Sequence, residues 1–381
     1  MPKVAAKSIY LYSFNIVIFL LLIPVFTRDT RNNHPLRPRR SAVSYNHLQQ
    51  DTILPQVPVV DTLPDTISFS IVGDLMVGSS YPAVSFLPKE EEGNILQYAM
   101  PVLLQTDLRI GNLESAVSDS AKVFKNCGTS QCYAFRTPYK QAMWYKEAGF
   151  EYLNLANNHS FDFGMKGVKH TIGFLDSVNI KTSGVPQRRF DTLTVRGTTI
   201  GFVSFAPHSN CLDLNNDTLI QATIAEVRPL CDLLVVFFHG GGEGASRIHT
   251  PKGREFFLGQ NRGDVRHFAH MCIREGADLV VGSGPHVVRG MEVYKGKLVA
   301  YSLGNFATYH QFNLKYPNNI APLLRLKITS QGNLVEHKVF SYLQEGEGIP
   351  KPDTTLKAFK MIRSLSIEDF GFSGVEAGTF D

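Results

Sequence analysis

LNLANNHSFDFG, residues Leu153–Gly164, sets the reading of this 381-residue chain. The apolar run Phe150–Leu155 predicts a strand, and it stops abruptly at Asn157-Asn158-His159, with Gly164 close behind. Asn and Gly tolerate the unusual backbone angles of a sharp turn. The turn places two amides, an imidazole and the Asp162 carboxylate at the mouth of a strand. Such groups ligate metals and move protons; they do not build cores.

Outward from this stretch the same arrangement recurs. Ile67–Val72 (ISFSIV) predicts a strand running into Gly73-Asp74, and Leu108–Ile110 leads into Gly111-Asn112-Leu113-Glu114. Leu233–Phe238 (LLVVFF) is continuously apolar, as a strand buried on both faces should be. It ends in His239-Gly240-Gly241-Gly242-Glu243. Leu279–Val281 ends in Gly282-Ser283-Gly284-Pro285-His286, and a further strand end carries Asn305. Helices are predicted at Ile95–Leu104, at Pro138–Ala148 with Thr137 as N-cap, and where apolar residues recur at Val168–Val178, Ile220–Val227 and Val265–Ile273. Hairpins are predicted around Arg196-Gly197, Lys295-Gly296-Lys297 and Ser330-Gln331-Gly332-Asn333, with one helix in the tail. Strands and helices that alternate early, followed by late hairpins, predict an α/β fold with a mixed sheet pair flanked by helices.

Taken singly, these polar residues have bland explanations. Asp74 reads equally as a turn former, Glu114 as a surface charge, Asn158-His159 as a helix-capping turn and His286 as a loop residue. His239 is harder to dismiss, because an imidazole leaving a buried strand needs a partner. Their shared placement argues for a site: in layered α/β proteins ligands bind beyond the carboxyl ends of the strands. Zn, Mn and Fe accept such a mixture of carboxylate, imidazole and amide oxygen. His208 also follows a strand and is set aside, as are the peripheral His249, His267, His270 and His310. Arg247, Arg254, Arg262, Arg266 and Arg289 lie near the glycine loops and could grip an anionic substrate.

The composition is that of a globular protein, 43% hydrophobic and 19% charged. The net charge is only +4, and much of it sits in Arg28, Arg31, Arg37, Arg39 and Arg40. No basic stripe with interleaved aromatics appears, which argues against nucleic acid as a partner. Ile9–Phe26 is an uncharged run after Lys3 and Lys7, and no small-x-small cleavage site follows it. It is expected to be an uncleaved, single-pass membrane anchor. The domains expected are the anchor (1–26), a polar linker (27–66), the folded domain (67–345) and a tail with one helix (346–381). Cys127 and Cys132 flank a short loop that could close as a disulfide, whereas Cys231 and Cys272 are expected to be buried thiols. Basic residues after the anchor outnumber those before it, which by itself argues against export. Anchor and disulfide together place the domain outside the membrane, on the extracytoplasmic side.

GDLMVG (Gly73–Gly78), GNLE (Gly111–Glu114), LANNHSFDFG (Leu155–Gly164), HGGGE (His239–Glu243), GADLVVGSGPHVV (Gly276–Val288) and YSLGNF (Tyr301–Phe306) resemble, in order, the motif series of the CapA family. That family serves capsule and poly-γ-glutamate synthesis, and its fold is similar to the calcineurin-like metallophosphoesterases. The resemblance covers roughly residues 67–339. It implies a four-layer α/β/β/α sandwich with a site for one or two divalent ions (Mn, Zn or Fe). Carried over position by position, it makes Asp74, Glu114, Asn158, His239 and His286 metal-ligand candidates and places His159 where the superfamily has its catalytic acid. Asn112, Asn157, Asp162, Glu243 and Asn305 are left to substrate or supporting roles. The implied function is synthesis or handling of a capsular anionic polymer within a membrane synthesis complex. Two alternatives are a metal-dependent phosphoesterase on a phosphate-containing substrate and a non-catalytic, polymer-binding scaffold. The chain departs from the motif series at Met76, Gly240 and Ser283; at Met76 and Ser283 the expected residue is an imidazole.

Overall fold

The structure, a computed structural model, describes residues 65–126 and 133–380. The expected anchor, nearly all of the linker and the Cys127–Cys132 pair lie outside the described residues. Among the described residues, no helix is long and apolar enough to cross a membrane.

Strand β1 (Thr66–Met76) runs past the expected Val72 and carries Gly73 and Asp74 inside it. After helix α1 (Met100–Leu103), strand β2 (Leu108–Leu113) pairs parallel with β1. Two short strands, β3 (Ala116–Val117) and β4 (Arg136–Thr137), form a clasp. Helix α2 (Tyr139–Glu147), β5 (Tyr152–Asn154), α3 (Gly164–Ser177) and β6 (Lys181–Ser183) continue the parallel series. Next come the expected hairpin of β7 (Phe190–Val195) and β8 (Thr198–Phe205), then α4 (Asp217–Val227) and β9 (Leu233–His239). A small hairpin, β10 (Glu255–Phe257) and β11 (Gln260–Gly263), precedes α5 (Val265–Arg274) and β12 (Leu279–Ser283). The chain ends with β13 (Met291–Tyr294), β14 (Lys297–Ala300), β15 (Asn305–Thr308), β16 (Ile320–Thr329), β17 (Leu334–Glu345), β18 (Ile349–Pro352) and α6 (Lys357–Phe370).

Local chemistry explains several boundaries. Asn216 caps α4 by accepting from Leu219 N–H at 3.0 Å, and Asp264 caps α5 by accepting from His267 N–H at 2.9 Å. Thr137 is not the cap of α2. Pro138 takes that position in extended conformation, and the Thr137 hydroxyl is engaged by the Gly78 carbonyl at 3.0 Å. The first predicted helix is shorter than expected because Pro101 fits only its first turn. The tail is not a simple appendage: β18 extends a sheet, and α6 buries Ala358 and Ile362 in the central core.

One sheet has the order β18-β17-β16-β1-β2-β5-β6, with β15 joined parallel to the end of β1; the other has the order β13-β14-β12-β9-β8-β7. The LLVVFF strand shows how the layers form. Leu233, Val235 and Phe237 face the core between the sheets, together with Phe69, Ile71 and Ile110. Leu234, Val236 and Phe238 face the opposite way, packing with residues of α4 and α5 such as Ile224 and Phe268. A third core joins the outer face of the first sheet to α1, α2 and α3 through residues such as Val102, Tyr145 and Val168. Burial of each large apolar side chain contributes roughly 1.5–3 kcal/mol. The result is the four-layer α/β/β/α sandwich expected. Tyr152 ties the sheets together: its ring stacks on Phe202 at 4.2 Å, and its hydroxyl lies 2.6 Å from Ser204 Oγ. Strands β1, β2 and β5 of one sheet and β8, β9 and β12 of the other are mutually parallel within each sheet. Close approach at the end of β1 requires Gly73, since a Cβ there would fall 1.9 Å from the Gly304 carbonyl oxygen.

Candidate functional site

Asp74 lies within β1, and Glu114 directly follows β2. His239 is the last residue of β9, and His286 lies just beyond β12. Asp74, Glu114 and His286 each offer an atom within 4.8 Å of the others. Glu114 is the centre of the arrangement. It is fully buried, and neither carboxylate oxygen has a hydrogen-bond partner. Its Oε1 lies 3.7 Å from His286 Nε2, 3.9 Å from His159 Nε2 and 4.0 Å from His239 Nε2. These separations are too long for hydrogen bonds. Those to His286 and His239 suit donors arranged around a shared cation about 2 Å from each.

Charge follows the same geometry. Burial, and then the nearby Asp74 charge, hold the Glu114 carboxyl well above its ordinary range. Burial opposes charge on His286, but Glu114 and Asp74 outweigh it and push it up to about 10. Burial, then Arg262 and the neighbouring imidazoles, keep His239 neutral. Its Nε2 is buried without a partner while Nδ1 lies 3.2 Å from Ser283 Oγ. Ser283 therefore orients His239 through the far nitrogen. Asn158 Oδ1 is likewise buried and unpartnered. A divalent cation would satisfy all of these idle acceptors, so the residues present fit one.

A chain of amides stiffens the carboxylates. Asn154 and Asn157 donate to Asn112 Oδ1 at 2.7 and 3.1 Å, and Asn112 donates to Asp74 Oδ1 at 2.8 Å. On the other side, Asp74 Oδ2 and Asn305 Oδ1 both lie 3.0 Å from His286 Nδ1. His286 itself has a left-handed backbone, with φ 56°, which is uncommon outside glycine. His159 is held differently from His239. Its Nδ1 lies 2.7 Å from Asp162 Oδ2, and Asp162 pairs with Lys125 at 2.9 Å. Its ring lies 4.2 Å from that of Phe135. Burial holds His159 below its ordinary value, with Asp162 opposing.

The structure thus gathers Asp74, Glu114, His159, His239 and His286 at one end of the sandwich, with Asn158 next to His159 in the chain. Asn112, Asn157, Asp162 and Asn305 support them from behind. Glu243 is tied instead to Arg262, with Oε1 2.7 Å from Nη1. Several residues set aside or missed by sequence reasoning belong here. His208 has a buried, unpartnered Nε2, and its ring centroid is 6.0 Å from that of His239. It follows a strand that bears no glycine-rich motif, so its position alone was a weak signal. Asn154 sits inside a predicted strand; a lone amide in an apolar run was the only available sign.

Two of the five arginines are not free to grip a substrate. Arg289 is fully buried against Glu255 by two 2.7 Å bonds, and Arg266 donates to the Thr250 and Asp369 carbonyls. Arg247 and Arg254 are exposed. Cys231 is a free thiol, as expected, but only partly buried.

Residues 68–310 match the family model described as "Bacterial capsule synthesis protein PGA_cap". The PGA biosynthesis protein CapA of Bacillus subtilis (strain 168) is 30% identical over 66% of this chain and 66% of its own length. The capsule biosynthesis protein CapA of Bacillus anthracis is 27% identical over 78% of this chain and 72% of its own. Among solved structures, the putative 5'-nucleotidase of Staphylococcus aureus superposes with a TM-score of 0.41 at 16% identity, over 80% of this chain and 58% of that one. The family match runs from β1, through every strand end that contributes to the site, to the end of β15, and the chain belongs to the bacterial capsule synthesis family PGA_cap.

Proposed function

We propose that this chain acts in the synthesis or handling of a capsular anionic polymer of the poly-γ-glutamate type, through a metal-dependent, hydrolase-like site. The observation that carries this reading is Glu114: a buried carboxylate with two idle oxygens, ringed by three imidazole nitrogens at 3.7–4.0 Å. Asp74, Glu114 and His286 would hold one divalent ion (Mn, Zn or Fe). Asn158 and His239, with His208 near His239, would offer further donors for a second. The bound metal would polarise a phosphoryl or acyl centre and lower the pKa of water. The chain's own residues do the rest. Asn112 and Asn305 hold Asp74 and His286 in register. Asp162, bonded at Nδ1, turns His159 Nε2 toward the site and partly offsets the burial that disfavours the charged ring; once protonated, Nε2 would donate to the leaving group. The expected anchor Ile9–Phe26 would hold the domain on the extracytoplasmic side of the cell membrane, beside a membrane synthesis complex.

A second reading is a non-catalytic, polymer-binding scaffold, favoured by the replacement of an expected imidazole by Ser283, which is spent on orienting His239. A metal-dependent phosphoesterase is the third. One experiment separates them: the purified chain, supplemented with manganese or zinc, is assayed on a phosphodiester and on a γ-glutamyl substrate. Metal-dependent γ-glutamyl turnover supports the proposal, phosphodiester turnover alone supports the phosphoesterase, and metal binding without turnover supports the scaffold.

A further inference from the structure

Arg262 carries chemistry that the site as described does not use. It lies in β11 and is 2% exposed. Its carbonyl accepts from Gly241 N–H at 2.8 Å, which pins the strand to the glycine loop after His239. Of its side-chain nitrogens, Nη1 donates to Glu243 Oε1 at 2.7 Å, while Nε and Nη2 have no partner. A buried guanidinium with idle donors is costly unless an acceptor arrives. The idle pair is also particular. Nε–H and the adjacent Nη2–H lie side by side in the guanidinium plane and together match two oxygens of a carboxylate or phosphate.

Its surroundings favour such a guest. Glu243 occupies only the opposite nitrogen. The Gly241 N–H bond to the Arg262 carbonyl seats this residue against the loop that leaves His239, at the strand end that carries the candidate ligand, and its charge helps hold buried His239 and His208 below their ordinary values. Among the other arginines near the glycine loops, Arg289 and Arg266 have their donors occupied, as described above.

We propose that the Nε–Nη2 edge of Arg262 is a fork for the substrate's oxyanion, a phosphoryl or carboxylate group gripped between the guanidinium and the metal centre. The inference deepens the functional reading above and rests on it for the second half of that grip. Glu243 is then a positioning residue that fixes the plane of the guanidinium.

The test is calorimetric titration of the full chain with inorganic phosphate and, separately, with glutarate, with and without manganese, measuring bound metal in the same samples. The wild-type chain should bind at least one of these anions. R262K keeps the charge but not the fork; it should melt like wild type, hold metal like wild type and bind that anion about ten-fold or more weakly. R262Q should bind no better than R262K. Binding of phosphate alone identifies a phosphoryl guest, glutarate alone a carboxylate, and both the shared chemistry. A wild-type chain that binds neither anion overturns the inference, as do R262K and R262Q variants that bind like wild type. Absence of metal speaks against the metal reading instead, and the metal-free titrations still decide the fork.

Discussion

His286 Nδ1 lies 3.0 Å from Asp74 Oδ2, although 212 residues separate them, Asp74 standing in β1 of one sheet and His286 in the loop that follows β12 of the other. The bond fixes which nitrogen of His286 faces the site: Nδ1 is held by Asp74 and Asn305, so Nε2 is turned toward Glu114. A carboxylate held on one imidazole nitrogen while the other stays available is how proteins commonly orient histidine ligands. The relationship also makes the site depend on correct assembly of the whole sandwich.

Glu114 should matter more for binding than for folding. Its buried carboxylate has no hydrogen-bond partner, and the charged His286 imidazole 3.7 Å away offsets part of that cost. Glu114→Gln keeps the shape and removes the charge, and with it part of the support for charged His286. Its metal affinity should fall at least ten-fold, while the metal-free variant melts within about 1 kcal/mol of metal-free wild type. Thermal melts with and without chelator check both parts.

The metal-free protein should lose stability at both ends of the pH range. His286 is raised from 6.5 to about 10, so its contribution is complete below pH 6.5 and is lost as the pH rises toward 10. His208 is lowered from 6.5 to about 3 by burial, with Arg262 adding to it. Its cost therefore grows as the pH falls from 6.5 toward 3, because the unfolded chain gains a proton that the fold refuses. His239 and His159, also held down by burial, feed the same limb, so His208→Gln should make the acid limb shallower without abolishing it and leave the alkaline limb in place. Melting temperature against pH measures this; an unchanged acid limb would remove His208 from the account.

His159→Ala should separate chemistry from metal holding. If His159 Nε2 delivers a proton, turnover should fall by roughly 10²–10⁴ while the bound metal content stays near that of wild type. Loss of metal without any proportionate loss of rate per bound ion would make His159 a ligand instead.

Arg289 should behave as a structural brace. It is buried against Glu255 and also donates to the Gly242 carbonyl, so it holds the loop that follows His239. Arg289→Ala leaves Glu255 buried and unpaired, and should cost roughly 3–5 kcal/mol in chemical denaturation.

Much of this was legible in the sequence, for physical reasons. The LLVVFF run could only be a strand covered on both faces, and polar groups leaving such strands had few places to go but a shared pocket. Asp74, Glu114, His239 and His286 were readable because each ends an apolar run beside glycine. His208 was not, because burial of its Nε2 depends on how the loop after β8 folds over the site, a long-range outcome. Arg262 and Arg289 looked alike as basic residues near glycines. Only tertiary packing distinguishes Arg289, closed by Glu255, from Arg262, left with an open edge. Thr137 was misplaced as a cap because its hydroxyl is claimed by the distant Gly78 carbonyl.

Glu114 and its neighbours are built to hold a divalent cation. Metal analysis of the purified chain, after exposure to manganese, zinc or iron and removal of the excess, decides whether they do. The chain should hold at least one tight ion, lost in Asp74→Asn, Glu114→Gln and His286→Asn variants that still melt cooperatively. A wild-type chain that retains no stoichiometric ion, or variants that retain as much as wild type, would contradict it.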